Sequence, residues 1–514
     1  MSKYGQFCLS LLTKCKTLDS FKQIHAQVFT NGLHADRFVA GKLILHCSIN
    51  LSGAALNYGF CILNKTPNPD VFMWNTLIRG LAESDTPETS LHMFIHMLRN
   101  SNFLPDSFSF AFTLKGAANL KCLKSGSQLH CQAFLRGFSS HIFVGTTLVS
   151  LYAECGLVFM SKAVFDEMPE PNVVAWNALL TAYIRCNDVM GAERLFYLMP
   201  FRDLTTMNLM LAGYTKSGKL DLAKKLFSGM LVKDDVSWST MIFGLSHAGN
   251  YVESFRCFRE LLRLGLTPNQ VSLSQVLSTC AHTGDFEFGK VLHSLIEKLG
   301  LAWIPSVNNA LLDAYSKCGN LEMAYLVFER MPMKKNIVSW TSIITGLAIH
   351  GYDEEAIRMF NAMKGSGVRP DEIAFVSILD ACSHAGLIEQ GEKIFSMMSN
   401  YFGVDPTIEH YGCMVDLYGR SGQLRKAYDF VVQMPIPATA VIWRIILGAC
   451  SLFGNVEIAE RANERLAKLD PANSGDCVLL SNVYAHAGEQ KHVVSLRQSM
   501  VEQNIRKTPG WSMI

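Results

Sequence analysis

Acidic and amide side chains recur along this chain at wide, regular intervals. Asp70, Asp106, Asn172, Asp203, Asp234, Asn269, Asn336 and Asp371 form the series, with 31 residues from Asn172 to Asp203 and again from Asp203 to Asp234. A second polar series, of Asn, Ser or Thr, follows each segment start: Asn75, Thr146, Asn177, Asn208, Ser239, Asn309 and Thr341. Groups of this kind present distinct donor and acceptor patterns, so they suit hydrogen-bond recognition rather than bond making. Capping of the next helix explains the first series about equally well, but it leaves the second series without a reason. Bond-making constellations are not on offer. A zinc deaminase needs an H-x-E phrase followed by Pro-Cys-x-x-Cys, and neither stands here; the chain stops just after Trp511-Ser512-Met513-Ile514, so it is not expected to be an enzyme or to hold a metal or cofactor. The 15 cysteines occur without a single CxxC pair, which favours a reduced intracellular compartment. His25, His130 and His293 lie a repeat or more apart and read as packing residues, as do the small apolar fillers Cys15, Cys280, Cys382 and Cys450.

The elements that carry the two series are set by apolar spacing. The phrases Val173-Val174-Ala175-Trp176-Asn177, Asp235-Val236-Ser237-Trp238-Ser239 and Ile337-Val338-Ser339-Trp340-Thr341 repeat one another, with 62 residues from Trp176 to Trp238 and 102 from Trp238 to Trp340. Within a unit, Val173, Trp176, Leu179, Leu180 and Tyr183 follow helical spacing. Ala192, Phe196 and Met199 then mark a second helix that Pro200 closes. Ala223, Phe227 and Met230, and Ala324, Phe328, Met331 and Pro332, repeat that ending. Each unit is thus a helical hairpin, and such an array buries its apolar faces only against neighbouring units. A tetratricopeptide array shares the period but wants Leu-Gly after its Trp, which is missing. Composition leaves several domains or one extended array as the options: 514 residues, 49% hydrophobic, exceed what one compact core holds. The formal charge of +2 gives no global basic signature, so any nucleic-acid affinity has to be sorted onto one surface. No stretch has the roughly 20 apolar residues of a membrane helix, and repeat-like sequence starts so early that little room is left for a presequence.

On these phrases the chain resembles plant pentatricopeptide-repeat (PPR) proteins of the subclass in which standard, long and short repeats alternate, with a C-terminal E-type extension and no DYW deaminase domain. The resemblance covers residues 5–439 as repeats and 440–514 as extension, the latter carried by Leu479-Leu480-Ser481-Asn482-Val483-Tyr484-Ala485 and Lys507-Thr508-Pro509-Gly510-Trp511-Ser512. It implies an all-α, right-handed superhelical solenoid of helix-turn-helix hairpins in which the fifth and last residues of a unit select one RNA base. Asn75 with Asp106, Asn177 with Asp203 and Asn208 with Asp234 resemble uridine pairs; Thr146 with Asn172 and Ser239 with Asn269, adenosine pairs; Asn309 with Asn336, a pyrimidine pair; Thr341 with Asp371, a guanosine pair. Phe72, Phe108, Phe143, Val174, Val236, Val271, Val338 and Ile373, the second residues, would pack on base planes, while Thr205, Ser306 and Glu409 depart from that pattern. Long-type pairs such as Ala111 with His141 and Ser274 with Ile304 leave their nucleotides open. The implied partner is single-stranded organelle RNA with the core 5′-UNAUUANYG-3′. The implied role is site recognition for C-to-U editing in mitochondrion or chloroplast, with the mitochondrion ahead, recruiting a deaminase-bearing PPR protein and organellar editing factors in trans. A splicing, stability or translation factor, or a protein-protein scaffold, are the alternatives.

Overall fold

The computed structural model describes residues 3–51, 53–100, 103–331, 335–470 and 473–502. Among the described residues the chain is all helical, with α-helices of nine to fourteen residues, a short 3-10 turn at Leu33–Ala35, a π turn at Met398–Phe402 and no strand. It divides into two compact units, Met1–Ala248 and Gly249–Ile514. Each unit is built from helices that alternate between a first and a second member of a hairpin, the arrangement of a helical repeat solenoid. In the first unit, Val173–Arg185 contacts its own second helix, Val189–Leu198, and both contact the next first helix, Leu204–Lys216.

Helix starts and stops follow local chemistry. Asp70, Asp106, Asn172, Asp203, Asp234, Asn269, Asn336 and Asp371 sit in extended conformation immediately before a first helix, and each side chain accepts from the backbone N–H three residues on. That bond satisfies one of the otherwise orphaned donors of a helix N-terminus. The turn within a hairpin needs a left-handed residue. Gly218 supplies it at φ 73°, and Asn187 does so at φ 59° in the preceding hairpin.

The core lies where successive hairpins meet. Phe165, Phe227 and Phe328, from second helices, set their rings edge-on to Trp176, Trp238 and Trp340 of the following first helices, with centroids 4.7, 4.8 and 4.9 Å apart. Ala192, Ala223, Ala324 and Ala356, from second helices, are fully buried. Pro332 lies outside the described residues. Beyond Val432, the helices Ala440–Phe453, Val456–Leu469, Ser474–His486 and Gln490–Glu502 continue the pattern. Leu480, Val483 and Tyr484 of the Leu479–Ala485 phrase are buried, whereas Lys507–Ser512 lies outside the described residues.

Candidate nucleic-acid interface

At four of the first helices the capping residue meets the Asn at the fifth position of the preceding unit. Asn75 donates from Nδ2 to Oδ1 of Asp106 at 2.9 Å, Asn208 to Asp234 at 3.0 Å, Asn177 to Asp203 at 3.4 Å and Asn309 to Asn336 at 3.4 Å. In every case the receiving atom is the oxygen that already caps the helix. Capping and pairing therefore coexist on one atom, and the other atom of the last residue stays open. Oδ2 of Asp106, Asp203 and Asp234 takes no partner among the described residues. At Asn336 the cap must be an acceptor, so the amide oxygen turns to the helix and the NH2 group is the open one. Asp versus Asn at this place thus exchanges an open acceptor for an open donor.

Burial alone would raise the pKa of Asp203, but hydrogen bonds from the Thr206 hydroxyl and N–H and from Asn177 outweigh it and hold the carboxyl below its ordinary range. Asp234 behaves the same way through Ser237 and Asn208. Both present a carboxylate at neutral pH. A residue that sequence reasoning missed completes each group: the hydroxyl of Ser109, Thr206, Ser237 or Ser339, the third residue of the following unit. It lies 2.7, 2.8, 2.7 and 2.8 Å from the amide oxygen of Asn75, Asn177, Asn208 and Asn309. The signal, a hydroxyl three residues after five of the eight caps, is one that a capping role alone accounts for.

Other expected pairs are built differently. Thr146 and Thr341 make no bond to Asn172 and Asp371; their hydroxyls are turned inward without a partner, while Asn172 and Asp371 cap Ala175 and Ala374. Ser239 belongs to the first compact unit and Asn269 to the second, where Asn269 caps Ser272. Phe72, Phe108, Phe143, Val174, Val236, Val271, Val338 and Ile373 are all exposed, from 44% at Phe108 to 62% at Ile373. Each stands one residue beyond a helix start, beside a polar group. Phe108 and Phe143 rest on each other with centroids 5.4 Å apart, so a base enters between them only if one ring swings aside. At the long-type ends His141 and Ile304 give no side-chain cap.

The remaining chemical candidates serve packing. His25, His130 and His293 bond through Nδ1 to the hydroxyls of Tyr58, Tyr152 and Tyr315 at 2.9, 2.8 and 3.0 Å. Cys280, Cys382 and Cys450 are buried, and burial pushes each thiol up to about 12, out of reach of thiolate chemistry. No group of three or more His, Cys, Asp or Glu among the described residues could hold a metal ion, and no described helix is long and apolar enough to cross a membrane.

The chain resembles known proteins over nearly its whole length. The PPR repeat pattern matches residues 72–102, 146–173, 174–204, 205–234, 236–266, 309–335, 373–401 and 409–435; that of the PPR repeat family matches 335–384, and the E motif matches 453–514. A pentatricopeptide repeat-containing protein of Arabidopsis thaliana is 43% identical over 98% of this chain and 92% of its own length. The Arabidopsis thaliana protein CRR2, described as chloroplastic, is 33% identical over 99% of this chain and 69% of its length. The crystal structure of the maize pentatricopeptide repeat protein PPR10 aligns with a TM-score of 0.45 at 15% identity, over 98% of this chain and 93% of that one.

Proposed function

Because the chain belongs to the pentatricopeptide-repeat family, we propose that it is a sequence-specific single-stranded RNA-binding protein that selects sites for C-to-U editing of organelle transcripts. One observation carries the base-reading part: in each hydrogen-bonded pair, one atom of the last residue is committed to the helix cap and the other stays open, as acceptor for Asp and as donor for Asn. The ring nitrogen on the Watson-Crick edge of uracil and guanine carries a hydrogen, which an open carboxylate oxygen accepts. Cytosine and adenine have a bare nitrogen there, which suits the amide NH2. Side-chain length at the fifth position then sorts by size. Asn reaches a pyrimidine, while Thr or Ser leaves room for a purine. The inward turn of the Thr146 and Thr341 hydroxyls fits a role through space rather than through bonding.

Repeats of this family read about one base per helical repeat through two or three side chains, which supports the core 5′-UNAUUANYG-3′. The exposed Phe72, Phe108 and Phe143 offer stacking surfaces worth about 1 to 3 kcal/mol each. The E motif at 453–514 supports the editing assignment, with residues 440–514 recruiting a deaminase-bearing protein in trans; relatives described as chloroplastic support an organelle address.

Binding by the purified chain to the core oligonucleotide and to scrambled versions, at one stated salt concentration, tests the reading. Preference for the core is expected; equal affinity leaves a scaffold or a nonspecific binder. Sequencing mitochondrial and plastid transcripts from plants lacking the protein tests the role: a lost C-to-U event downstream of the core supports editing, whereas altered splicing or transcript ends overturns it.

A further inference from the structure

We propose that the third residue of the following unit, Ser109, Thr206, Ser237 or Ser339, is a positioning residue that fixes the base-selecting Asn one unit earlier, so that three side chains from two units select each Asn-read nucleotide. The inference rests on the base-reading proposed above and deepens it. The hydroxyl-to-amide distances are short and nearly constant, 2.7 to 2.8 Å, whereas the amide-to-cap distances range from 2.9 to 3.4 Å. The steadier contact is the one made by the hydroxyl. All four hydroxyl residues are buried, at 0 to 2% exposure, so no solvent molecule stands ready to replace them. Each also lies 2.7 to 3.0 Å from the capping oxygen and shares its single proton between the two acceptors.

Without that proton the amide oxygen of Asn loses its donor, and only the longer bond from its NH2 group to the capping oxygen still holds the side chain. An amide held at one end alone swings, and its reach toward the base is no longer fixed.

Two contrasts separate this tie from ordinary capping. Where the fifth residue is Thr, the third residue of the next unit is Ala: Ala175 after Thr146, and Ala374 after Thr341. A capping box would gain from a hydroxyl at those places too. Ser272, which follows a unit whose fifth residue is not Asn, turns its hydroxyl to the backbone oxygen of Asn269 at 3.0 Å and serves only its own helix.

Thr206→Ala in the full chain decides the matter, read against RNAs that vary the fourth and fifth nucleotides of the core singly. Thr206 belongs to the unit that faces the fifth nucleotide, yet the variant is expected to lower uridine preference at the fourth by about three- to tenfold and to leave the fifth unchanged. A purely structural role would weaken all RNAs alike or shift the fifth position, and either result overturns the proposal. Asn177→Ala serves as the reference. If it abolishes preference at the fourth position while Thr206→Ala does not, the positioning role fails alone; if it too changes nothing, the base-reading fails and this inference falls with it. A gain-of-function pair guards against misfolding of the alanine variant. Thr146→Asn with Ala175→Ser should turn the third nucleotide to a pyrimidine preference, and Thr146→Asn alone should do so less well; equal behaviour of the two overturns the proposal.

Discussion

At Asn177 two properties of one side chain, its length and its amide, meet the fixed demand of Asp203, whose open oxygen asks for a hydrogen on the opposing ring nitrogen. Shortening the fifth residue while keeping the carboxylate should therefore exchange one hydrogen-bearing base for a larger one. Asn177→Thr is expected to move the preference at the fourth nucleotide from uridine toward guanosine by about 1 kcal/mol or more, read by competition between RNAs differing only there. No movement would place the register of pairs in error. These paired positions were legible in sequence because polar types recur at the fifth and last places of successive units. Which oxygen of Asp203 caps and which stays open was not, since the two become different only once the helix places its N–H groups. Thr206 escaped notice for a related reason: a hydroxyl three residues after a capping Asp already has a local explanation, and its link to Asn177 spans 29 residues of chain.

At the scale of the helix, hairpin stacking depends on one close approach. A Cβ added to Gly244 would stand 2.3 Å from Cγ2 and 2.6 Å from Cβ of Thr215, and one added to Gly346 would stand 2.5 Å from Cβ of Ser316. Such distances cannot be met by a flexible side-chain tip moving aside. The usual sign of a helical glycine is thereby reversed. Gly to Ala within a helix normally stabilises by about 0.5 to 1 kcal/mol, whereas Gly244→Ala should destabilise by about 1 to 3 kcal/mol through overpacking. Gly448, inside Ala440–Phe453 with nothing within 4 Å of the added carbon, should show the ordinary gain. Denaturation midpoints of the two variants should move in opposite directions, and hydrogen exchange should quicken across Leu204–His247 in the first alone. A common direction would mean that the first helices do not approach so closely. The helices themselves were legible from apolar spacing and from the prolines and capping residues that bound them. The contact at Gly244 was not, because a glycine six residues after Trp238 has no apolar period of its own and shows its purpose only when the neighbouring helix is present.

Across the whole molecule, both compact units bury histidine in the same manner. His25, His46 and His130 in the first and His293 and His410 in the second each have a pKa lowered from 6.5, with burial as the largest cause. Lys65 adds to the effect at His25 and Arg330 at His293, while Glu167 opposes it at His130 and Glu297 at His293. The division at Ala248 could not be read from the chain, since the segment 235–269 that contains it keeps the pattern of its neighbours. The shared histidine chemistry nevertheless ties the two units to one pH response. A histidine whose pKa falls on folding takes up protons more readily in the unfolded chain. Its contribution is therefore complete above 6.5, declines as the pH drops from there toward the folded pKa, and levels off below it. The lowered carboxyls of Asp203 and Asp234, with ordinary values of 3.8, lose their contribution only in a more acidic window, so the two effects separate. Thermal midpoints measured at constant ionic strength should fall between about pH 7 and about pH 5. His130→Gln with His293→Gln retains a hydrogen-bonding partner for Tyr152 and Tyr315 and removes two of the titrating groups, so it should flatten that slope while leaving the acidic limb in place. An unchanged slope in the double variant would show that these imidazoles meet solvent freely, and with it that the hairpins carrying them do not close as tightly as His130 on Tyr152 requires.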